Sequence, residues 1–196
     1  HPLMSPPPIK PVQSEKFISP EEEMTLLRLS RHVLVRFVEE KVQRFPDSDL
    51  KDLDLTDNLR RPAGVFVTLK KRGQLRGCIG RLVPDAALGK LVGVMALQSA
   101  FQDPRFSPVN ASELKDLEIE ISVLTPMKPV SGYEDIVVGR DGVVLSKDGH
   151  SAVFLPQVAP EQGWDRDTML DHLSMKAGLT AGSWREGAQF STFQAI

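Results

Sequence analysis

The chain has 196 residues, 41% of them hydrophobic and 26% charged, enough for one proper core or for two small subdomains sharing one. Its 24 basic and 26 acidic side chains leave a net charge of −2, which disfavours nucleic acid as the principal partner. A single cysteine excludes an internal disulfide, and no C-x-x-C or comparable metal-ligand spacing occurs.

No apolar run reaches the roughly 18 residues of a membrane span. The segment from His1 to Pro20 holds six prolines and no apolar signal core. These features, with the lone thiol, give a cytoplasmic expectation. Residues 1–18 read as a disordered, proline-rich lead.

Ser19-Pro20-Glu21-Glu22 announces a helix, with serine as N-cap, proline at the first helical position and a glutamate to complete a capping box. Leu26, Leu27, Val33, Leu34, Phe37 and Val38 form its apolar stripe, so the helix should run to about Gln43 and stop before Pro46. Residues 45–62 read as polar and irregular. The period then becomes that of strands: Val65 to Leu69, a turn at Lys71-Arg72-Gly73-Gln74, and Leu75 to Leu82. A helix is expected from Asp85, its N-cap, to Phe101, with Leu88, Leu91, Val92 and Met95 facing inward.

A short capped helix should begin at Asn110, three residues before Glu113. Leu117 to Thr125 alternates as a half-buried strand. Strands at about 143–146 and 151–155 flank Asp148-Gly149, a strong hairpin pair. Asp165 caps a helix carrying Met169, Leu170 and Leu173, which Gly178 ends, and Phe190 to Ala195 closes as a strand. Hairpins without βαβ units make the fold class α+β, with mainly antiparallel sheet.

Arg60, Arg61, Lys70, Lys71, Arg72, Arg76 and Arg81 fall within 22 residues that contain no acid. That run reads either as a solvated hairpin or as a docking surface for an anionic group. Cys78 lies within it. In an extended strand Arg76, Cys78 and Gly80 share a face, and a guanidinium that close favours the nucleophilic thiolate. Gly77 and Gly80 leave room beside the sulfur for a ligand or another backbone. Counted from a turn at Arg72-Gly73, however, Cys78 faces Val67 across the ladder, which favours an inert thiol. Both readings stand at this point.

Leu75-Arg76-Gly77-Cys78-Ile79-Gly80 resembles the signature of the AMMECR-domain family. The resemblance continues through Ala100-Phe101-Gln102-Asp103-Pro104-Arg105-Phe106, Leu117 to Leu124, Leu155-Pro156-Gln157-Val158-Ala159, Gly163-Trp164-Asp165, Lys176-Ala177-Gly178 and Thr192-Phe193-Gln194-Ala195. It covers about residues 19–196 and is similar to the bacterial and archaeal members of the AmmeMemoRadiSam system. The resemblance implies two unequal subdomains with a cleft between them. The larger would span about 19–82 and 119–196, with a smaller insertion at about 83–118. It also implies a pathway shared with Memo-type and radical SAM proteins, without naming a reaction.

On this reading the catalytic candidates are Cys78 as nucleophile or thiol carrier, Arg76 to stabilise the thiolate or an anionic substrate group, and Glu120 as proton shuttle. Leu75, Gly77, Ile79, Gly80, Asp103, Arg105, Asp141 and Gln157 are the binding candidates. Relatives often carry histidine where Asp141 stands, so a catalytic histidine does not carry over. His32, His150 and His172 read as structural or surface residues. Glu118 and Glu120 share the polar side of their strand, and Asp103 should pair with Arg105. No metal and no cofactor is implied. The alternative function is a non-catalytic module that binds a substrate, peptide or protein through the cleft and the hairpin at 60–81.

Overall fold

The computed structural model describes residues 18–40 and 55–195. The expected lead at 1–17 and the end of the first helix at 41–43 lie outside them. The chain divides into two compact units, one ending at Leu124 and the other Thr125–Ala195.

In the first unit, helix α1 is Pro20–Glu40 and opens with the expected capping box. The Glu22 N–H donates to Ser19 Oγ (3.1 Å), and the Ser19 N–H donates to Glu22 Oε1 (3.0 Å). A short helix α2, Asp57–Arg60, is capped by Thr56 within the stretch expected to be irregular. Strands β1 (Val65–Lys71) and β2 (Gln74–Arg81) form the hairpin, helix α3 is Leu88–Phe101, and a 3-10 turn at Ala111–Asp116 leads into β3, Leu117–Val123. The sheet runs in the order β2-β1-β3 and is antiparallel throughout.

Helix α3 begins two residues later than its sequence suggests, with Ala87 at the N-cap position. Asp85 is not its N-cap, because the Asp85 carboxylate is held by the Arg81 guanidinium instead. The Leu88 N–H finds the Arg61 carbonyl at 2.8 Å. Leu88, Leu91, Val92, Met95, Ala96 and Ala100 are all buried, so this helix is apolar on most of its circumference. It packs against both α1 and the sheet, in one core with Leu29 and Leu34 of α1 and Val65, Val67 and Leu69 of β1. Segment 83–118 is therefore not a separate insertion: its main helix fills the first unit's core, and the chain divides after Leu124 instead.

The second unit holds β4 (Lys128–Val130), β5 (Gly142–Lys147), β6 (His150–Phe154), helices α4 (Val158–Gln162) and α5 (Arg166–Lys176), and β7 (Gln189–Phe193). Its antiparallel sheet has the order β4-β7-β5-β6. Asp148 (φ +51°) and Gly149 (φ +80°) make the hairpin turn that their sequence specifies. Asp165 Oδ1 caps α5 by accepting from the Thr168 N–H at 2.8 Å, and Gly178 follows the helix at φ +88°. Val143, Leu145, Leu170, Leu173 and Trp184 form the core, with Trp184 Nε1 donating to Asp171 Oδ1 at 2.7 Å. Among the described residues no helix is long and apolar enough to cross a membrane.

Candidate functional site

The hairpin turns where the sequence places it: Arg72 (φ +52°) and Gly73 (φ +78°) are both left-handed, as a two-residue turn of this type requires. Strict pairing from that turn would set Cys78 opposite Val67. The ladder does not stay strict. Lys70 pairs with Leu75 but Leu69 pairs with Gly77, so Arg76 is the extra residue of a β-bulge. A one-residue slip exchanges the two faces of a strand. Cys78 consequently lies opposite Thr68 rather than Val67. Its Sγ is 3.2 Å from Thr68 Oγ1, and either atom can be the donor.

Thr68 in turn pairs with Glu120 of β3, so Cys78, Thr68 and Glu120 form one row across the three strands. At a strand spacing of ~4.8 Å, Cys78 and Glu120 are about 10 Å apart at their backbones. Glu120 bonds Lys70 Nζ at 3.1 Å and keeps 55% of its side chain exposed. Cys78 and Thr68 are half-buried. The opposite face of the sheet is the apolar one, carrying Val65, Val67 and Leu69.

Strand β2 is an edge, and its free side is occupied at Cys78 by the loop after α3. Asp103 Oδ2 accepts the Cys78 N–H at 3.0 Å, and Arg105 Nη2 donates to the Cys78 carbonyl at 3.3 Å. The two side chains also bind each other, Nη2 to Oδ2 at 2.7 Å and Nε to Oδ1 at 3.0 Å. The guanidinium, with the two backbone N–H groups of Cys78 and Arg105, holds the buried Asp103 carboxyl far below the ordinary carboxylate range despite its desolvation. This pair stands in for a missing neighbour strand. Asp103→Ala should cost about 2 kcal/mol by leaving the Cys78 N–H unpaired. Native-state hydrogen exchange should show the Cys78 amide exchanging faster than those of β1.

The other side of β2 meets α3. The buried Ser99 hydroxyl accepts the Ile79 N–H (2.9 Å) and donates to the Val67 carbonyl (2.8 Å), bridging the two members of a register pair. Such an approach requires Gly77, where an added Cβ would stand 2.0 Å from the Ser99 carbonyl oxygen. The space at Gly80 is taken by the Phe66 ring, 2.2 Å from where a Cβ would be. Both glycines thus admit parts of the protein itself.

The Arg76 guanidinium is committed to partners other than the Cys78 thiol. With the residue bulged out of register, it donates to Glu113 (Nε to Oε2 2.8 Å, Nη2 to Oε1 3.1 Å) and to the Ser107 carbonyl (2.8 Å). Lys71 Nζ joins Glu113 at 3.2 Å. With the Arg76 guanidinium as the main cause, the Glu113 carboxyl is lowered to about 2. The capping box at Asn110 was legible in sequence; the partnership of Glu113 with Arg76 was not, because 37 residues separate them. Neither Thr68 nor Ser99 carries a local signal, since each acquires its role from register or from helix crossing.

The basic run is met by acids from elsewhere in the chain: Lys70 by Glu120, Lys71 and Arg76 by Glu113, Arg72 by Asp116, Arg81 by Asp85 and Arg60 by Asp57. Leu75 is 43% exposed beside the turn, and Ile79 is half-buried against the core. Asp141 and Gln157 belong to the second unit. The buried Asp141 carboxylate accepts from the Val137 N–H, Arg140 and Gln194 Nε2, which keep it ionised against its burial. Gln157 is exposed and precedes α4 without a side-chain cap. His150 Nδ1 lies 3.1 Å from the Ala177 carbonyl, and His172 stacks on Trp164 at 4.0 Å. Among the described residues no cluster of three His, Cys, Asp or Glu could hold a metal ion.

The two units with this sheet match a crystal structure of the uncharacterized protein PH0010 from Pyrococcus horikoshii, with a TM-score of 0.78, 34% identity and 91% coverage of each chain. A protein of Methanothermobacter thermautotrophicus is 40% identical over 169 residues, covering 83% of this chain and 85% of its own. One from Methanococcoides burtonii is 36% identical over 182 residues, covering 90% and 88%. The AMMECR1 family model matches residues 27–196, including the whole of the bulged strand and its clamp. The chain belongs to the AMMECR1 family.

Proposed function

We propose that the protein performs a thiol-dependent step at Cys78, as nucleophile or group carrier, in a pathway shared with Memo-type and radical SAM proteins. The observation supporting a chemical role is the bulge at Arg76, which takes Cys78 from the apolar face and sets it beside Thr68. Bulges recur where a strand re-aims a functional side chain. The pathway partners rest on the family resemblance alone.

In this reading the sulfur's electron pair forms a bond to an electrophilic carbon, the leaving group departs with its bonding pair, and the thiol proton passes to it. Thr68 donates its hydroxyl hydrogen to the developing thiolate. Asp103 and Arg105 fix the Cys78 backbone, so that the sulfur is held in place when the substrate arrives. Glu120, about 10 Å along the row by strand spacing, reaches a substrate lying across the sheet rather than the sulfur itself. Arg76 acts through the backbone by holding the bulge.

The test is alkylation of Cys78 by iodoacetamide in the folded protein and in denaturant. The folded thiol is expected to react, and Thr68→Val to slow it about tenfold through loss of a hydrogen bond to a charged group. A thiol silent until the chain unfolds would make Cys78 a packing residue and overturn the proposal.

A further inference from the structure

Strand β3 has β1 on one side and, among the described residues, no strand on the other. Arg31 of α1 donates to the Leu117 carbonyl at 2.6 Å, so the main chain of Leu117 faces away from β1. The alternation of a strand turns Ile119, Ile121 and Val123 the same way. Among the described residues no donor or acceptor meets their outward main-chain groups. Two other edges differ: Asp103 and Arg105 cover β2 at Cys78, and Lys176 Nζ takes the Val153 carbonyl on β6 at 2.8 Å.

Beside the open part of β3 lies a groove of about 290 Å³. Ile18 with Leu26 and Leu27 of α1 form one wall, and Ile119, Ile121 and Val123 form the other. Glu23 and Glu120 stand in its lining, Glu21 lies two residues before the first and Glu118 two before the second, and Lys70 pairs with Glu120. The site therefore combines backbone groups that meet no partner among the described residues, apolar walls and a net negative rim.

We propose that this groove binds an extended peptide segment with alternating apolar and basic residues, which adds to β3 as a fourth strand. The unpaired backbone calls for a peptide rather than a small amine, because only a strand can satisfy both its N–H and its C=O groups. The carboxylates select lysine or arginine at positions between the apolar ones. They also disfavour a second copy of the chain, since pairing β3 with β3 would bring Glu118 and Glu120 of the two copies together. The inference is independent of the chemistry at Cys78.

The probe is a labelled, end-blocked hexapeptide Val-Lys-Val-Lys-Val-Lys, titrated into the full chain by fluorescence anisotropy and backbone NMR. Saturable binding is expected, with amide shifts centred on Ile119 to Val123. The Val-Glu counterpart and a peptide N-methylated at alternate residues should each bind at least tenfold more weakly. Glu23→Lys should weaken the lysine peptide by a similar factor while leaving Cys78 alkylation at the wild-type rate. Absence of saturable binding, including the case in which residues 1–17 already fill the groove, overturns the proposal. Equal binding of the N-methylated peptide, or shifts elsewhere on the molecule, also does so.

Discussion

Gly77→Ala is expected to destabilise the protein by about 3 kcal/mol or more, the upper end of the cost of overpacking. The added methyl would lie 2.0 Å from the Ser99 carbonyl oxygen and 3.0 Å from its carbonyl carbon. Those atoms belong to the backbone of α3, so no rotamer change relieves the contact, and trimming the Ser99 side chain does not help. The helix must instead lift from β2. That motion breaks the two hydrogen bonds by which the Ser99 hydroxyl joins Ile79 to Val67. The control is Gly73→Ala, where nothing lies within 4 Å and only the left-handed backbone (φ +78°) is strained. That change should cost about 1 kcal/mol. Urea unfolding of the two variants measures the contrast; near-equal losses would mean that α3 is not tied to β2 in this way.

What the sequence discloses and what it withholds divide along the range of the interactions. The turns at Arg72-Gly73 and Asp148-Gly149, the capping boxes at Ser19 and Asn110, and the alternation of β3 are local, and each forms where its residues require it. The bulge is not local. Counting in twos from the turn assigns Cys78 to the apolar face, and only the capture of Arg76 by Glu113 and Ser107 interrupts that count. Gly77 reads in isolation as space for a ligand or a backbone, and the crossing of α3 decides for the backbone. The insertion expected at 83–118 rests on the family resemblance and not on a pattern in the residues. The burial of α3 against α1 and the sheet, which places that segment in the first unit, depends on contacts distant in sequence. Strand β4, three residues long with Pro129 at its centre, has too few positions to show a period.

The bulge thus links the fold to the candidate chemistry, and its dependence on Glu113 can be read as a pH effect. The Glu113 carboxylate accepts two bonds from Arg76, one from Lys71 and one from the Asn110 N–H. Its pKa is about 2 in the fold against 4.5 for an unperturbed glutamate. Above pH ~4.5 both folded and unfolded chains are ionised there, and the stabilisation is complete. Between pH ~4.5 and ~2 the unfolded chain takes up the proton first, so stability falls as the pH is lowered. The lowered carboxyl of Asp103 acts in the same sense at still lower pH. A difference of that size corresponds to roughly 3 kcal/mol, lessened because Lys71 keeps a third of its side chain in solvent. Glu113→Gln should therefore lose about 2–3 kcal/mol at pH 7 and converge on the wild type near pH 2. Urea titrations at several pH values will show that convergence, whereas parallel losses at every pH would assign the cost to packing alone. The same variant carries a second consequence. Without the carboxylate, Arg76 loses the anchor that keeps it out of the ladder, and the strand is free to slip back to strict pairing with Cys78 against Val67. Alkylation of Cys78 in the folded Glu113→Gln protein should then slow at pH 7, which a carboxylate that merely stabilised the fold would not produce.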